Sequence, residues 1–179
     1  MNNYVALLHS IVLGEGRRVV MADLRAMVEQ LGYLAPRTLV STGNLVFSAP
    51  ERSPAEIEAK LESAFAATFG RHVDIIVRLA DDWLRLAAGN PFATAAEDDP
   101  THVHVRVMRV PLSRAVLDDL RAYCLKGERV ELVGGDLWVD FQGQASESKL
   151  LGVLTTRRLG VGTIRNWNTV RRLGAMLAQ

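Results

Sequence analysis

Cysteine, lysine and aromatic side chains are scarce in this 179-residue chain. The one cysteine, Cys124, excludes an intramolecular disulfide and fits a reducing compartment. It falls in a helical pattern, where a small apolar packing role is expected rather than a nucleophile. Of the 21 basic residues only 3 are lysines, so arginine abundance alone is no signal for phosphate. No apolar run approaches the roughly 18 residues a membrane-spanning helix needs. The opening Met1-Asn2-Asn3-Tyr4 has no basic segment, and His9 and Ser10 interrupt the apolar stretch behind it, so it reads as a strand and not a leader. Low-complexity segments are missing as well. These absences predict a compact, soluble, cytoplasmic α+β protein with no membrane partner.

What is present is a globular composition, 49% hydrophobic and 23% charged. Net charge is only +1 but is uneven. Residues 146–179 carry Lys149, Arg157, Arg158, Arg165, Arg171 and Arg172 against Glu147 alone, a tail of +5 behind a body of −4. Such asymmetry marks either an anionic partner or a solvated face of the last helices.

Periodicity supplies the element order. Tyr4–Val12 reads as a buried strand and residues 14–18 as a loop. Leu24, Met27, Val28 and Leu31 recur at helical spacing until Gly32. Strands at Arg37–Ser41 and Leu45–Phe47 flank Thr42-Gly43-Asn44, a tight-turn sequence. Ser53-Pro54-Ala55-Glu56 opens a helix with a cap, a proline at the first position and an acidic partner. Gly70 closes that helix, and Val73–Leu79 is the next strand. Residues 4–79 thus follow the split βαβ, or ferredoxin-like, order.

A worn copy follows: a connecting helix at Asp81–Gly89, an acidic linker over 90–100, and a strand alternating Val103, Val105 and Val107 with His102, His104 and Arg106. Then come a helix over Leu112–Leu125, a hairpin around Gly134-Gly135-Asp136, and a helix over Ser146–Leu159. The last strand is not visible, and a helix from about Asn166 to Leu177 takes its place. The predicted architecture is two tandem ferredoxin-like βαββα repeats, the second modified with an extra C-terminal helix. The domains are 1–80, a connecting segment 81–100, and 101–179.

Six segments in order carry a family resemblance: Ala6-Leu7-Leu8 through Gly14, Met21-Ala22-Asp23-Leu24-Arg25, Ser41-Thr42-Gly43-Asn44-Leu45-Val46-Phe47, Asn90-Pro91-Phe92, Ser148-Lys149-Leu150, and Arg165-Asn166-Trp167-Asn168-Thr169-Val170. Together they resemble the bacterial family called domain of unknown function 1697. The resemblance implies a small cytosolic protein on a duplicated ferredoxin-like plan and brings no activity with it. The arginine and asparagine usual in the family's first loop are replaced here by His9 and Val12.

Four constellations bear on chemistry. Ser146-Glu147-Ser148-Lys149 has an S-x-x-K spacing, but the companion elements of serine acyl-enzymes are absent, so capping by either serine is the plainer reading. Gly14-Glu15-Gly16 mimics part of a dinucleotide fingerprint, with Val19 where the third glycine belongs. His102 and His104 share one side of a strand near Asp98 and Asp99 without a clear third ligand, and no metal or cofactor is expected. Arg165-Asn166-Trp167-Asn168-Thr169-Val170-Arg171-Arg172 sets a tryptophan among arginines, suited to stacking a base and meeting phosphates, or simply to capping and packing a helix. RNA-binding modules of this topology carry aromatics on their central strands. Here Val73–Leu79 has none and the first strand has only Tyr4.

The expected function is a non-catalytic binding protein. It would take a small anion, nucleotide or nucleic acid at Lys149, Arg165, Asn166, Trp167 and Arg171. The alternative is a small enzyme with a polar site between the repeats, built from Ser41, Asn44, Ser146, Ser148 and Lys149.

Overall fold

The computed structural model describes residues 1–40, 42–50 and 53–179. The described chain is a mixed α+β structure with seven α-helices and ten strands in three antiparallel sheets. It divides into two compact units, Met1–Leu84 with Arg172–Gln179, and Arg85–Arg171. Among the described residues no helix is long and apolar enough to cross a membrane.

The first unit is a four-stranded sheet with two helices on one face. Its strands are β1 (Asn2–Leu8), β4 (Leu34–Leu39), β5 (Asn44–Ala49) and β6 (Ile75–Leu79), in the order β4-β5-β1-β6. Alternation puts Tyr4, Ala6 and Leu8 on the helix side. There they meet Leu24, Met27 and Val28 of α1 (Met21–Gln30), and Ile57, Leu61 and Phe65 of α2 (Pro54–Phe69). Phe47 stacks between Tyr4 and Tyr33, at centroid distances of 5.9 and 5.3 Å. The start of α2 forms as its sequence predicts: Ser53 Oγ accepts from Glu56 N, Pro54 is the first helical residue, and Gly70 closes the helix at φ +73°. Gly43 turns β4 into β5 at φ +78°, and a Cβ there would stand 2.9 Å from Leu8 Cβ, so only glycine fits.

Two details of this unit depart from the sequence reading. The strand expected at 37–41 begins at Leu34, because Ala35 at φ +49° and Pro36 make a bulge against β5. The loop expected at 14–18 holds a small hairpin of β2 (Val12–Gly14) and β3 (Arg17–Arg18), turned by Glu15 and Gly16 in left-handed conformations.

The second unit has a sheet of β7 (Val103–Met108), β8 (Arg129–Val133), β9 (Asp136–Asp140) and β10 (Gly162–Asn166), in the order β10-β7-β9-β8. Its core joins Met108, Val130, Leu132, Leu137 and Val139 of the sheet to Leu117 and Leu120 of α5 (Ala115–Arg121), and to Leu150, Leu154 and Leu159. The last strand, absent from the sequence reading, is present: β10 pairs with β7 from Gly162↔Met108 to Asn166↔His104. It runs five residues with only Thr163 and Ile164 as strand formers, so its partner and not its own propensity holds it.

The helix expected over 146–159 is instead two 3-10 turns, Ala145–Glu147 and Leu151–Val153, and a four-residue α6 (Thr156–Leu159). The acidic linker contains α4 (Ala93–Asp98), and the helix expected at 112–125 shortens to α5. The connecting helix α3 (Ala80–Ala88) and the final α7 (Trp167–Leu177) lie where expected.

Candidate functional site

The residues expected to bind a ligand are for the most part engaged in holding the fold. Ser41 lies outside the described residues. Asn44 is fully buried, and its Nδ2 donates to Thr42 Oγ1 at 2.7 Å and to Leu39 O at 3.4 Å, which fastens the β4–β5 turn. Ser148 Oγ donates to Glu128 Oε1 at 2.6 Å and accepts from Leu150 N at 3.2 Å. Burial would raise the Glu128 carboxyl, but hydrogen bonds from Ser148 and the Lys126 amide outweigh it and hold the group below the ordinary carboxylate range. A serine donating to a carboxylate inside a turn is a brace. Ser146 and Lys149 are exposed and sit at a 3-10 turn and beyond it, not on one α-helical face. The S-x-x-K spacing therefore has no helical geometry behind it.

The Arg165–Arg171 segment divides similarly. Asn166 Oδ1 accepts from Thr169 N at 3.0 Å and caps α7. Trp167 is half-buried and tilts against Trp138 at a centroid distance of 5.9 Å. Arg165 donates to Thr163 Oγ1 at 2.7 Å and to Ile164 O at 2.8 Å, and burial lowers its guanidinium to about 10. Arg171 is exposed and donates to Asn168 Oδ1 at 2.8 Å. These side chains are placed by capping, ring packing and local hydrogen bonds.

The histidine pair is also separated. His102 Nε2 lies 3.1 Å from Asp99 Oδ2, while His104 sets its ring edge-on to Phe141 with Nδ1 buried and unpartnered. Cys124 is half-buried, its thiol directed to Leu120 O at 3.7 Å, and burial pushes the thiol up, away from the reactive thiolate.

An open groove does exist in the same basic tail, ten residues before the expected segment. It has a volume of about 430 Å³ and is lined by Gly152, Val153, Thr155, Arg157 and Arg158. Its lining holds two guanidiniums and no carboxylate. Thr155 Oγ1 accepts from Arg158 N at 3.3 Å and caps α6. The Arg158 guanidinium lies 5.0 Å from the centroid of Tyr123 and donates to its hydroxyl at 3.2 Å, which holds one cation in place at the rim. The segment is anchored from the sheet by Arg106, which donates to Leu154 O at 3.1 Å and Gly160 O at 3.0 Å, either side of Thr155, Arg157 and Arg158. Burial lowers the Arg106 guanidinium from its ordinary value, and the planar fork serves two carbonyls at once. Chemically, the arrangement suits an anion with several oxygens. The sequence signal was the run Thr155-Thr156-Arg157-Arg158 before Gly160. Its arginines entered the charge balance, but nothing local distinguished them from a wet helix face.

The chain resembles known proteins in sequence and in fold. The pattern of a family described as protein of unknown function, DUF1697, matches residues 1–138. A solved structure of a conserved bacterial protein, SP0830 from Streptococcus pneumoniae, is 25% identical, with a TM-score of 0.77 over 98% of each chain. Among curated proteins, no sequence matches.

Proposed function

We propose, from the premise that the chain belongs to the DUF1697 family of proteins of unknown function, that it is a non-catalytic cytoplasmic protein binding a small phosphate-bearing anion. The ligand sits in the groove of Thr155, Arg157 and Arg158. One observation carries this reading: two arginines and a helix-capping threonine line an open volume of about 430 Å³ without a carboxylate among them. That volume is of the size small-ligand sites have, which favours a mononucleotide or inorganic phosphate over a nucleic-acid strand. The tandem ferredoxin-like plan belongs to the same reading, supported by both sheets placing their first strand centrally beside the third, with the second and fourth at the edges.

The test is calorimetric titration with inorganic phosphate, a mononucleotide and a short single-stranded oligonucleotide, at low and at physiological salt. Saturable binding of phosphate and mononucleotide, weakened by salt, is expected. Arg157→Ala and Arg158→Ala each remove charge-assisted bonds worth about 1.5–3 kcal/mol, so affinity falls about 10- to 100-fold. Arg114→Ala, an exposed arginine paired with Glu131 elsewhere on the unit, leaves affinity unchanged. Absence of saturable binding at low salt, or an equal loss in Arg114→Ala, refutes the reading.

A further inference from the structure

The C-terminal end of α2 brings together three side chains that the proposed anion groove does not involve. Gly70, in its left-handed conformation, turns the chain back along the helix it has just closed. The segment that follows precedes β6, with His72 and Asp74 two positions apart, so in an extended backbone they project to the same side. His72 Nε2 lies 3.0 Å from Asp74 Oδ1. Glu62, on the last turns of α2, reaches the same place and is held there because its Oε1 accepts from Ile75 N at 3.0 Å. The Asp74 backbone is fixed in turn, since its carbonyl accepts from His9 N at 2.9 Å. One ligand atom from each of Glu62, His72 and Asp74 lies within 4.8 Å of the other two. Beside the three, a pocket of about 150 Å³ opens, its wall including His9, Ser10, Arg71, His72 and Asp74.

The geometry points to a site for a divalent first-row transition ion, zinc foremost, ligated by Glu62, His72 and Asp74 and completed by water from the adjoining pocket. The donor set decides the class of ion. An imidazole nitrogen beside two carboxylates suits zinc and its neighbours, whereas calcium and magnesium take oxygen alone. Two ligands of one tetrahedral zinc stand roughly 3.4 Å apart, given bonds of about 2.0–2.1 Å. The His72–Asp74 pair is already near that separation, and a torsion of the Glu62 side chain closes the third. Backbone hydrogen bonds to Glu62 and to the Asp74 peptide supply the outer support that orients such ligands. Three protein ligands leave at least one position for water, the pattern of an open site.

Chelator-treated protein titrated with zinc by calorimetry tests this, with cobalt(II) absorption as a second readout. One zinc per chain is expected, together with a rise in the thermal midpoint and a zinc-dependent change in the His72 ring signals but not those of His102 or His104. Glu62→Gln keeps an oxygen for the Ile75 amide and so keeps the fold, but it removes a charged ligand. This variant and His72→Ala each weaken zinc binding by about tenfold or more. A wild-type chain that binds zinc no better than a Glu62→Gln/His72→Ala double variant overturns the proposal. So does stoichiometric zinc that leaves the His72 signals unmoved.

Discussion

At the scale of single residues, burial lowers three nitrogen bases of the second unit, Arg106, Arg165 and His104, below their ordinary values. Arg106 spends its guanidinium on two backbone carbonyls, and Arg165 on a hydroxyl and a carbonyl. His104 turns Nδ1 into a place with no acceptor. Burial pulls the His104 imidazole below its ordinary 6.5; the neighbouring His102 backbone opposes this in part, and the His102 charge adds to it least. The sign of the consequence is fixed by linkage. As pH falls through about 6.5 the unfolded chain takes a proton on this ring while the folded chain resists, so the unfolded state binds more protons and stability falls. The urea midpoint is therefore expected to drop between about pH 7 and pH 5, and His104→Leu to flatten that drop. An unchanged slope in the variant would assign the acid sensitivity to another group. The ring's burial was not legible in the sequence, because His102 and His104 sit symmetrically in an alternating strand. Only the placement of Phe141 makes one a packed ring and the other a surface partner of Asp99.

At the scale of elements, α2 protects the open edge of its own sheet. β6 ends the order β4-β5-β1-β6, so among the described residues one side of it has no strand neighbour. Glu58 and Glu62, one turn apart on α2, accept from Val77 N at 2.9 Å and Ile75 N at 3.0 Å on that side. Such cover keeps an edge from pairing with another chain. Glu58→Ala removes the acceptor of a buried amide, a loss of about 1–3 kcal/mol. Hydrogen exchange at Val77 should quicken correspondingly, by about 5- to 150-fold, and much less in Glu58→Gln, which keeps an oxygen. The same contrast between local and distant partners separates what could be read from the sequence. The α2 start was legible because Ser53, Pro54 and Glu56 act within one turn, as was the α7 cap at Asn166. Residues 146–159 misled because Leu150, Leu151, Leu154 and Leu159 have helical spacing. What stops the helix is Ser148 bonding Glu128, twenty residues back. β10 was invisible for the converse reason: a short, weakly apolar segment becomes a strand only because β7 offers an edge. The anion groove inherits this difficulty, since Arg106 places it from a strand some fifty residues away.

At the scale of the whole molecule, the first unit is not contiguous in sequence. Its sheet and helices come from Met1–Leu84, yet Arg172–Gln179 clusters with them after the second unit has been traversed. Arg37 on β4 makes the connection: it donates to Met176 O at 2.6 Å and to Gln179 Oε1 at 3.2 Å. Leu173, in the same returning segment, is fully buried. Closing so long a loop is slow and entropically opposed, so the first unit reaches its final stability only when Arg172–Gln179 is in place. A chain ended at Arg171 forfeits the burial of Leu173, about 2–5 kcal/mol for a leucine side chain in a core. Arg37→Ala alone forfeits only the hydrogen bonds, about 0.5–1.5 kcal/mol each. Urea unfolding is expected to rank the three chains in that order, with the intact protein the most stable. Hydrogen exchange should show the loss first at β4 and β5, since β4 carries the arginine that grips the returning segment. Equal stability of the full chain and the chain ended at Arg171 would mean that the last eight residues contribute nothing to the unit they cluster with.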